Sequence, residues 1–199
     1  GPGQLVLQAE EVLVRLQLRI ILHDGQKPAD RAVELLVGGD AAGLARRSLA
    51  TTGGDPAAEL SFEGVAAAGG DLVGASDRGW PTAARTLNRL FALRAAEMAG
   101  GTRQVLEMTV EYTKMRVQFG RTLASFQAVQ HICADMEIMA DGAELAARQA
   151  VWAMDRGLGG DYEVSAAKAF AAQAYTFAVS NAVQLHGGIG YMEEYDLQF

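Results

Sequence analysis

Two stretches carry side chains that could do chemistry. The first is "MRVQFGRTLASFQAVQH", residues 115–131, where Arg116, Gln118, Phe119, Gly120, Arg121, Thr122 and Gln127 interrupt an otherwise amphipathic helical pattern. A guanidinium there can reach outward and grip an anion with two parallel N–H bonds; equally, Arg116 could do no more than pair with a carboxylate such as Glu111 or Asp135. The second is "AVQLHGGIGYMEEYDL", residues 182–197, in which Gln184, His186, Gly187, Gly188 and Gly190 stop a helix abruptly. Glycines at a helix stop expose backbone amides that a planar or phosphorylated ligand can approach. The bland alternative is an ordinary glycine stop with a surface histidine.

Other chemistries are missing. Di-metal sites in helical bundles need a Glu-x-x-His step, and neither His23, His131 nor His186 has a Glu three positions earlier. No metal site is expected. No G-x-S-x-G elbow is present, and Cys133 lies within an apolar helical pattern, where a buried structural thiol is expected. The glycines of "HGGIGY" follow a helix and not a strand, so the phosphate-cradling turn of a dinucleotide-binding βαβ unit is not encoded.

The elements that must position these residues come in two kinds. Residues 4–76 alternate short apolar runs with Gly, Asp and Pro, which predicts antiparallel strands. Leu60, Phe62 and Val65 nearly alternate with Glu59, Ser61 and Glu63, a half-buried strand pattern. Val12 to Leu22 suits a strand or a helix equally. From Trp80 onward the period is helical: Leu87, Leu90, Phe91, Met98, Val105, Leu106, Thr109 and Tyr112 recur at steps of three and four, interrupted only by Gly100-Gly101. Those glycines permit close packing or a mild bend. A second helix is expected from about Ser125 to Arg156, with Val129, Ile132, Met136, Met139, Ala143, Ala147 and Val151 on one face. A third is expected from about Tyr162 to Leu185, through Val164, Ala167, Phe170, Ala174, Phe177 and Ala178. Gly120 would end the first helix in the left-handed C′ position and Ser125 would cap the second.

Long helices with short connections make an up-down bundle. The fold class is therefore α+β, a partial antiparallel β-domain (4–76) followed by a long-helix bundle (77–199), with the switch near Asp77. Three helices leave an apolar face without a partner, so a fourth helix or another subunit is expected against it.

Bulk properties narrow the setting. Half the 199 residues are apolar and 21% are charged, enough to bury a core. The net charge is −7, with no basic cluster able to track a phosphate backbone, so nucleic acid is not an expected partner. No apolar run approaches the ~18 residues of a membrane span. With no signal-peptide pattern, a cytoplasmic location is expected, and Gly1-Pro2-Gly3 reads as a cloning scar outside the fold.

Taken together and in this order, the two constellations resemble the acyl-CoA dehydrogenase family. "YTKMRVQFGRTLASFQAVQHICADME" is similar to its Arg-x-x-Phe-Gly corner followed by Phe-Gln, and "AKAFAAQAYTFAVSNAVQLHGGIGYMEEYDL" to its helix ending in Gln-x-x-Gly-Gly-x-Gly. "LARRSLATTGGDPAAELSFEGVAAAGGDLVG" resembles, more loosely, the end of the family's middle β-domain, so the likeness covers roughly residues 33–198. The resemblance implies FAD held between subunits of a dimer within a tetramer. It implies that Arg116 and Gln118 approach the FAD pyrophosphate or adenosine of a neighbouring subunit, that Phe119 and Gln127 contact the same adenosine, and that Gln184, Leu185, His186, Gly187 and Gly188 line the dinucleotide from the other side. The implied reaction is α,β-desaturation of an acyl-CoA thioester. A carboxylate removes the α-proton, the β-hydrogen passes to the flavin, and the electrons go on to an electron-transferring flavoprotein.

The catalytic carboxylate is where the sequence departs from the family pattern. Most members carry the base in a Glu-Gly-Thr segment beyond the third helix, and the chain ends at Phe199 before one, so the final helix is expected to be absent. A minority carry it at the position of Leu90, which cannot accept a proton; the neighbouring position, commonly Arg in the family, is Phe91. Glu97 lies on nearly the same face, but seven helical residues displace it by ~10 Å. It is the only catalytic candidate the residues offer. The expected function is thus an FAD-dependent acyl-CoA dehydrogenase chain. The alternatives are a baseless subunit that completes a flavin site in a heteromeric dehydrogenase, a helical interaction module without cofactor, and a flavin monooxygenase or nitroalkane oxidase on the same fold.

Overall fold

A computed structural model describes residues 5–8, 17–22, 33–51, 56–75, 78–158, 160–192 and 194–198. Gly1-Pro2-Gly3, the first part of the ambiguous run from Val12, His23 and Asp77 at the expected β-to-α switch lie outside the described residues. The chain divides into two compact units, Gly1–Thr86 and Leu87–Phe199.

In the first unit every strand pairing is antiparallel. Strands β1 (Leu5–Gln8), β4 (Leu44–Leu49) and β5 (Ala57–Phe62) form a sheet in the order β1-β5-β4, and β2 (Gln17–Leu22) pairs with β3 (Val33–Gly38). The run that could have been strand or helix is therefore strand over its described part. Strand β5 shows the predicted alternation: Leu60 is buried with Val37, Phe62 packs on that cluster, and Ser61 faces out. Glu59 pairs across to Arg47 of β4, whose Nε donates to its Oε2 at 2.7 Å.

The second unit is built from long helices: α1 (Trp80–Met115, which begins in the first unit), α2 (Gln127–Asp155) and α3 (Asp161–His186). Pro81 sits in the first turn of α1, where a missing N–H costs no intrahelical bond. Helix α3 starts with Asp161 and Glu163, negative charges that favour the positive end of the helix dipole.

The packing faces are lined by alanine. Ala92, Ala95 and Ala99 of α1 meet Ala143, Ala147 and Ala150 of α2 and Val164, Ala167, Ala171 and Ala174 of α3. Between α2 and α3, side chains this small let the helix axes come close, toward the short end of the ~8–10 Å range. At Gly101 a Cβ would fall 2.7 Å from the Tyr175 ring, so that glycine serves close packing against α3. Leu90, Phe91 and Val151, whose spacing carried the helical period, are 47%, 36% and 51% exposed. The buried positions beside them fall largely to alanines.

Toward the other end of the unit, Val105, Leu106, Met136, Ala140, Ala178 and Ala182 form a second cluster sealed by Leu197, 2% exposed. Burying one leucine contributes about 2–3 kcal/mol, enough to hold the segment after α3 against the bundle. The buried hydroxyls of Thr102 and Thr109 donate to the carbonyls of Met98 and Val105, each at 2.7 Å, which removes the cost of burying them.

Candidate functional site

Between α1 and α2 the polar run folds into a small hairpin, β6 (Val117–Gln118) against β7 (Arg121–Thr122). Its two turn residues both have positive φ, Phe119 at 55° and Gly120 at 78°. That is the geometry of a tight two-residue hairpin turn, which matches the right-handed twist of its strands. Gly120 is thus left-handed as expected, but as the second turn residue and not as the C′ residue of α1. The expected Ser125 cap is also not formed. The Ser125 hydroxyl donates to the Thr122 carbonyl at 2.7 Å inside a 3-10 turn, and Phe126 holds the N-cap position of α2 by backbone bonds alone.

Phe119 is 90% exposed, with its backbone in a region that a bulky residue enters at a cost of about 1–2 kcal/mol. The hairpin base is fastened elsewhere. The Arg121 guanidinium lies 3.9 Å over the Phe126 ring, Phe119 meets Phe126 edge to face at 6.2 Å, and the Leu123 N–H donates to the Arg116 carbonyl at 2.9 Å. Arg116 is exposed and makes no ion pair among the described residues. Glu111, one proposed partner, is instead held by Lys114 at 2.8 Å. Gln127 is exposed; Gln118, also exposed, folds its amide onto the adjacent Val117 carbonyl.

The second constellation lies at the end of α3. Gly187, at φ 64°, turns the chain into a 3-10 helix over Gly187–Tyr191, leaving Gly187 and Gly188 exposed. A Cβ on either would meet nothing within 4 Å, so their backbone faces open space that a ligand could enter. Gln184 is exposed and Leu185 half-buried. His186 differs from the surface histidine of the bland reading: it is 4% exposed. Its ring is turned inward, away from any ligand outside. Nδ1 lies 2.8 Å from the Ala182 carbonyl and Nε2 3.1 Å from the Tyr195 hydroxyl, and the ring stacks on Tyr112 at 4.2 Å between centroids. Burial pushes the His186 pKa below its ordinary value, against the Ala182 hydrogen bond, which raises it. Burial also raises that of Tyr195.

That stack brings the two constellations to the same end of the unit. Tyr112 accepts the Arg116 N–H on its carbonyl at 2.9 Å, and its hydroxyl donates to the His186 carbonyl at 3.3 Å, one residue before the glycines. Tyr112 was legible only as a helix-face residue, although its place one turn before Arg116 was a usable signal. Nothing in the sequence pointed to Tyr195.

Glu97 is not brought to this end. It is exposed and pairs with Arg94 at 2.6 Å. An open groove of about 680 Å³ does lie along α1 and α2, lined by Ala99, Gly100, Arg103, Glu144, Val151 and Trp152 among others, but Glu97 is not part of its wall. Of its two arginines, Arg103 is engaged by Glu137 at 2.6 Å and by Asp141, and Arg148 by Glu144. Cys133 is half-buried and burial raises its thiol pKa, as suits a structural thiol. Among the described residues no group of His, Cys, Asp and Glu could hold a metal, and no helix is long and apolar enough to cross a membrane.

Comparison with known proteins gives this geometry a family. A family model described as "Acyl-CoA dehydrogenase, C-terminal domain" matches residues 77–199. A 3-(aryl)acrylate reductase of Clostridium sporogenes is 36% identical over 145 residues, 73% of this chain and 38% of that protein. The caffeyl-CoA reductase-Etf complex subunit CarC of Acetobacterium woodii is 31% identical over 140 residues, 70% of this chain and 37% of that protein. In structure, butyryl-CoA dehydrogenase from Megasphaera elsdenii superposes with a TM-score of 0.82 at 26% identity, over 87% of this chain and 46% of that one. The chain thus spans well under half the length of the curated relatives it matches. On the family model and these likenesses, the chain belongs to the acyl-CoA dehydrogenase family of oxidoreductases.

Proposed function

We propose that this chain is part of an FAD-dependent acyl-CoA dehydrogenase that introduces an α,β double bond into an acyl-CoA thioester, with its 77–199 domain contributing one side of the flavin site and 4–76 the remnant of a β-domain. The carrying observation is the corner hairpin, where a guanidinium without an ion-pair partner among the described residues and a strained, 90% exposed phenylalanine are held out together. Strain of that kind persists where the surroundings enforce it and tends to mark ligand-binding positions.

The residues fit a dinucleotide. Arg116 can meet a diphosphate bidentately, Phe119 offers an aromatic face to an adenine, and Gln118 and Gln127 offer side-chain amides. Gln184, Leu185, Gly187 and Gly188 would present their backbone and the Gln184 amide from the other side, and His186 would act through its backbone and its grip on the turn. When bound, FAD would supply the acceptor for the hydrogen leaving the β-carbon. The arginine and phenylalanine would serve the flavin of a neighbouring subunit, so a homo- or hetero-oligomer, a dimer of dimers, is part of the proposal. So are an electron-transferring flavoprotein as electron acceptor, in keeping with the Etf complex of the caffeyl-CoA reductase subunit, and a cytoplasmic location.

A second reading has its own support. Leu90 cannot accept a proton and Glu97 is exposed and held by Arg94, so neither residue aligned with or near the base position that a minority of the family uses supplies one. A subunit that completes a flavin site and leaves proton abstraction to a partner matches that pattern. One experiment separates the two. The complete protein, alone and co-purified with the product of a neighbouring gene, is measured for flavin absorbance per protomer and assayed with acyl-CoAs and an artificial electron acceptor. Flavin and turnover from the protein alone support the first reading, and turnover only with the partner supports the second. No flavin in either preparation refutes both. Arg116→Ala should weaken FAD retention about tenfold, the scale of a lost charge-assisted hydrogen bond.

A further inference from the structure

We infer that His186 is a positioning residue, a neutral imidazole bonded at both nitrogens that fixes the Gly187-Gly188 turn against α1 and the 194–198 segment. The inference rests on the proposed role of those glycines in holding the cofactor, and it adds the device that would hold their backbone in place.

The protonation state follows from the partners. The Ala182 carbonyl can only accept, so Nδ1, 2.8 Å away, carries the hydrogen. Nε2 is then left with a lone pair, which accepts the Tyr195 hydroxyl at 3.1 Å. Above the ring, Tyr112 stacks at 4.2 Å with an interplanar angle of 21°. The Tyr112 hydroxyl also donates to the His186 carbonyl at 3.3 Å, one of the carbonyls a helix end leaves without an intrahelical partner. One residue thus ties together α1 through Tyr112, its own helix through Ala182, and the returning segment through Tyr195.

The turn closes directly over this residue. Gly190 is buried, and a Cβ there would sit 3.2 Å from the His186 Cβ and 3.1 Å from the Val183 carbonyl. The 187–190 backbone therefore passes directly against the base of the His186 side chain, with no room for a Cβ at Gly190. Leu197, buried beside Ala182 and Ala178, anchors the far side of the returning segment and keeps Tyr195 within reach. The titratable groups around the imidazole are Tyr112 on α1 and Tyr195, with Asp196 acting on Tyr195. No carboxylate pairs with His186 among the described residues, so only the Ala182 carbonyl favours the imidazolium and burial outweighs it; protonation would also turn Nε2 from acceptor into donor.

The test uses the full chain without added ligand. Amide hydrogen exchange is followed at residues 187–191 and, as a reference, at 140–147 in α2, for wild type, His186→Phe, His186→Gln and Tyr195→Phe. His186→Phe keeps a ring for the stack and loses both hydrogen bonds. His186→Gln offers its amide oxygen where Nε2 stood. Exchange at 187–191 is expected to rise about tenfold in His186→Phe and Tyr195→Phe, and to return to within about threefold of wild type in His186→Gln, with the reference window unchanged. Unchanged exchange at 187–191, or equal acceleration in both windows, would overturn the inference. Imidazole ¹⁵N shifts should show the neutral Nδ1–H form at pH 6.5; a protonated ring there would also overturn it.

FAD retention by the same variants in the assembled protein should fall in step with the exchange. Normal retention in variants with a loosened turn would remove the link to the cofactor. If the wild type retains no FAD while exchange responds as expected, the function proposed above fails and the structural pin stands.

Discussion

The corner hairpin and the turn after α3 lie at the same end of the helical unit, yet they are built in opposite ways. The hairpin pushes its functional groups outward: Phe119 is almost fully exposed on a strained backbone, and Arg116 has no ion-pair partner among the described residues. The turn keeps its polar side chain inside and exposes only glycine backbone. An element that offers side chains can tolerate a thin base, because its reach does the work. One that offers backbone must have that backbone fixed from behind, and a buried hydrogen-bond network does so at high stakes, since each unsatisfied group is costly. Substitutions should therefore lower stability at the turn and leave it almost unchanged, or raise it, at the hairpin.

The largest expected effect is at His186. His186→Leu fills much of the same volume but leaves the Tyr195 hydroxyl without its acceptor and the Ala182 carbonyl without its side-chain donor. A loss of about 2–3 kcal/mol in unfolding free energy is expected by urea denaturation. The pH dependence gives the same contrast a sign. The folded imidazole resists protonation, because burial holds its pKa below the ordinary value. As pH falls below ~6.5 the unfolded chain takes up a proton that the folded chain does not, so wild-type stability should decline through that window until the folded pKa is reached. In His186→Leu this part of the decline should vanish. An identical pH profile in both proteins would mean that His186 is not held neutral.

How far these regions could be read beforehand differs for a physical reason. Helix existence and bounds followed from periodicity, since the expected Tyr162–Leu185 helix is Asp161–His186 and the expected Ser125–Arg156 helix is Gln127–Asp155. The inner faces were harder. Large apolar residues such as Leu90, Phe91 and Val151 carried the helical period, whereas the buried positions fell largely to alanines, which carry little periodic signal. At the corner, residue types announced a ligand, but the Phe119-Gly120 turn did not show, because a two-residue hairpin of this geometry is signalled by Asn-Gly or Asp-Gly and not by Phe-Gly. The His186 network was hidden for another reason. Its partners Tyr112 and Tyr195 are 74 and 9 residues away along the chain, and only tertiary packing places them on one ring.

At the hairpin a substitution should separate stability from binding. Phe119→Asn puts a residue that tolerates the left-handed region where φ is 55°, and should raise stability by about 0.5–1 kcal/mol. The same change removes the exposed aromatic face, so FAD retention in the assembled protein should fall about tenfold, within the range of base–aromatic stacking. Thermal denaturation and flavin release measured together would check it. A variant that loses stability would show that the Phe119 contact with Phe126 outweighs the backbone strain.

The smallest expected effect falls on the hairpin's base. Arg121 lies over the Phe126 ring, and an exposed cation–π contact of this kind is worth about 0.5–1 kcal/mol, so Arg121→Ala should lower stability by no more than that. Arg121→Lys should restore part of the loss, since an ammonium keeps the charge above the ring without the flat stacking of a guanidinium. Arg116→Ala, five residues earlier and without an ion-pair partner among the described residues, should leave stability unchanged while weakening FAD retention. The two arginines of one short run would then divide the labour, one fastening the hairpin to α2 and the other facing the ligand. Denaturation midpoints and flavin occupancy of both variants test that division. If Arg121→Ala released flavin as readily as Arg116→Ala with no change in stability, both guanidiniums would face the ligand and the Phe126 contact would be incidental.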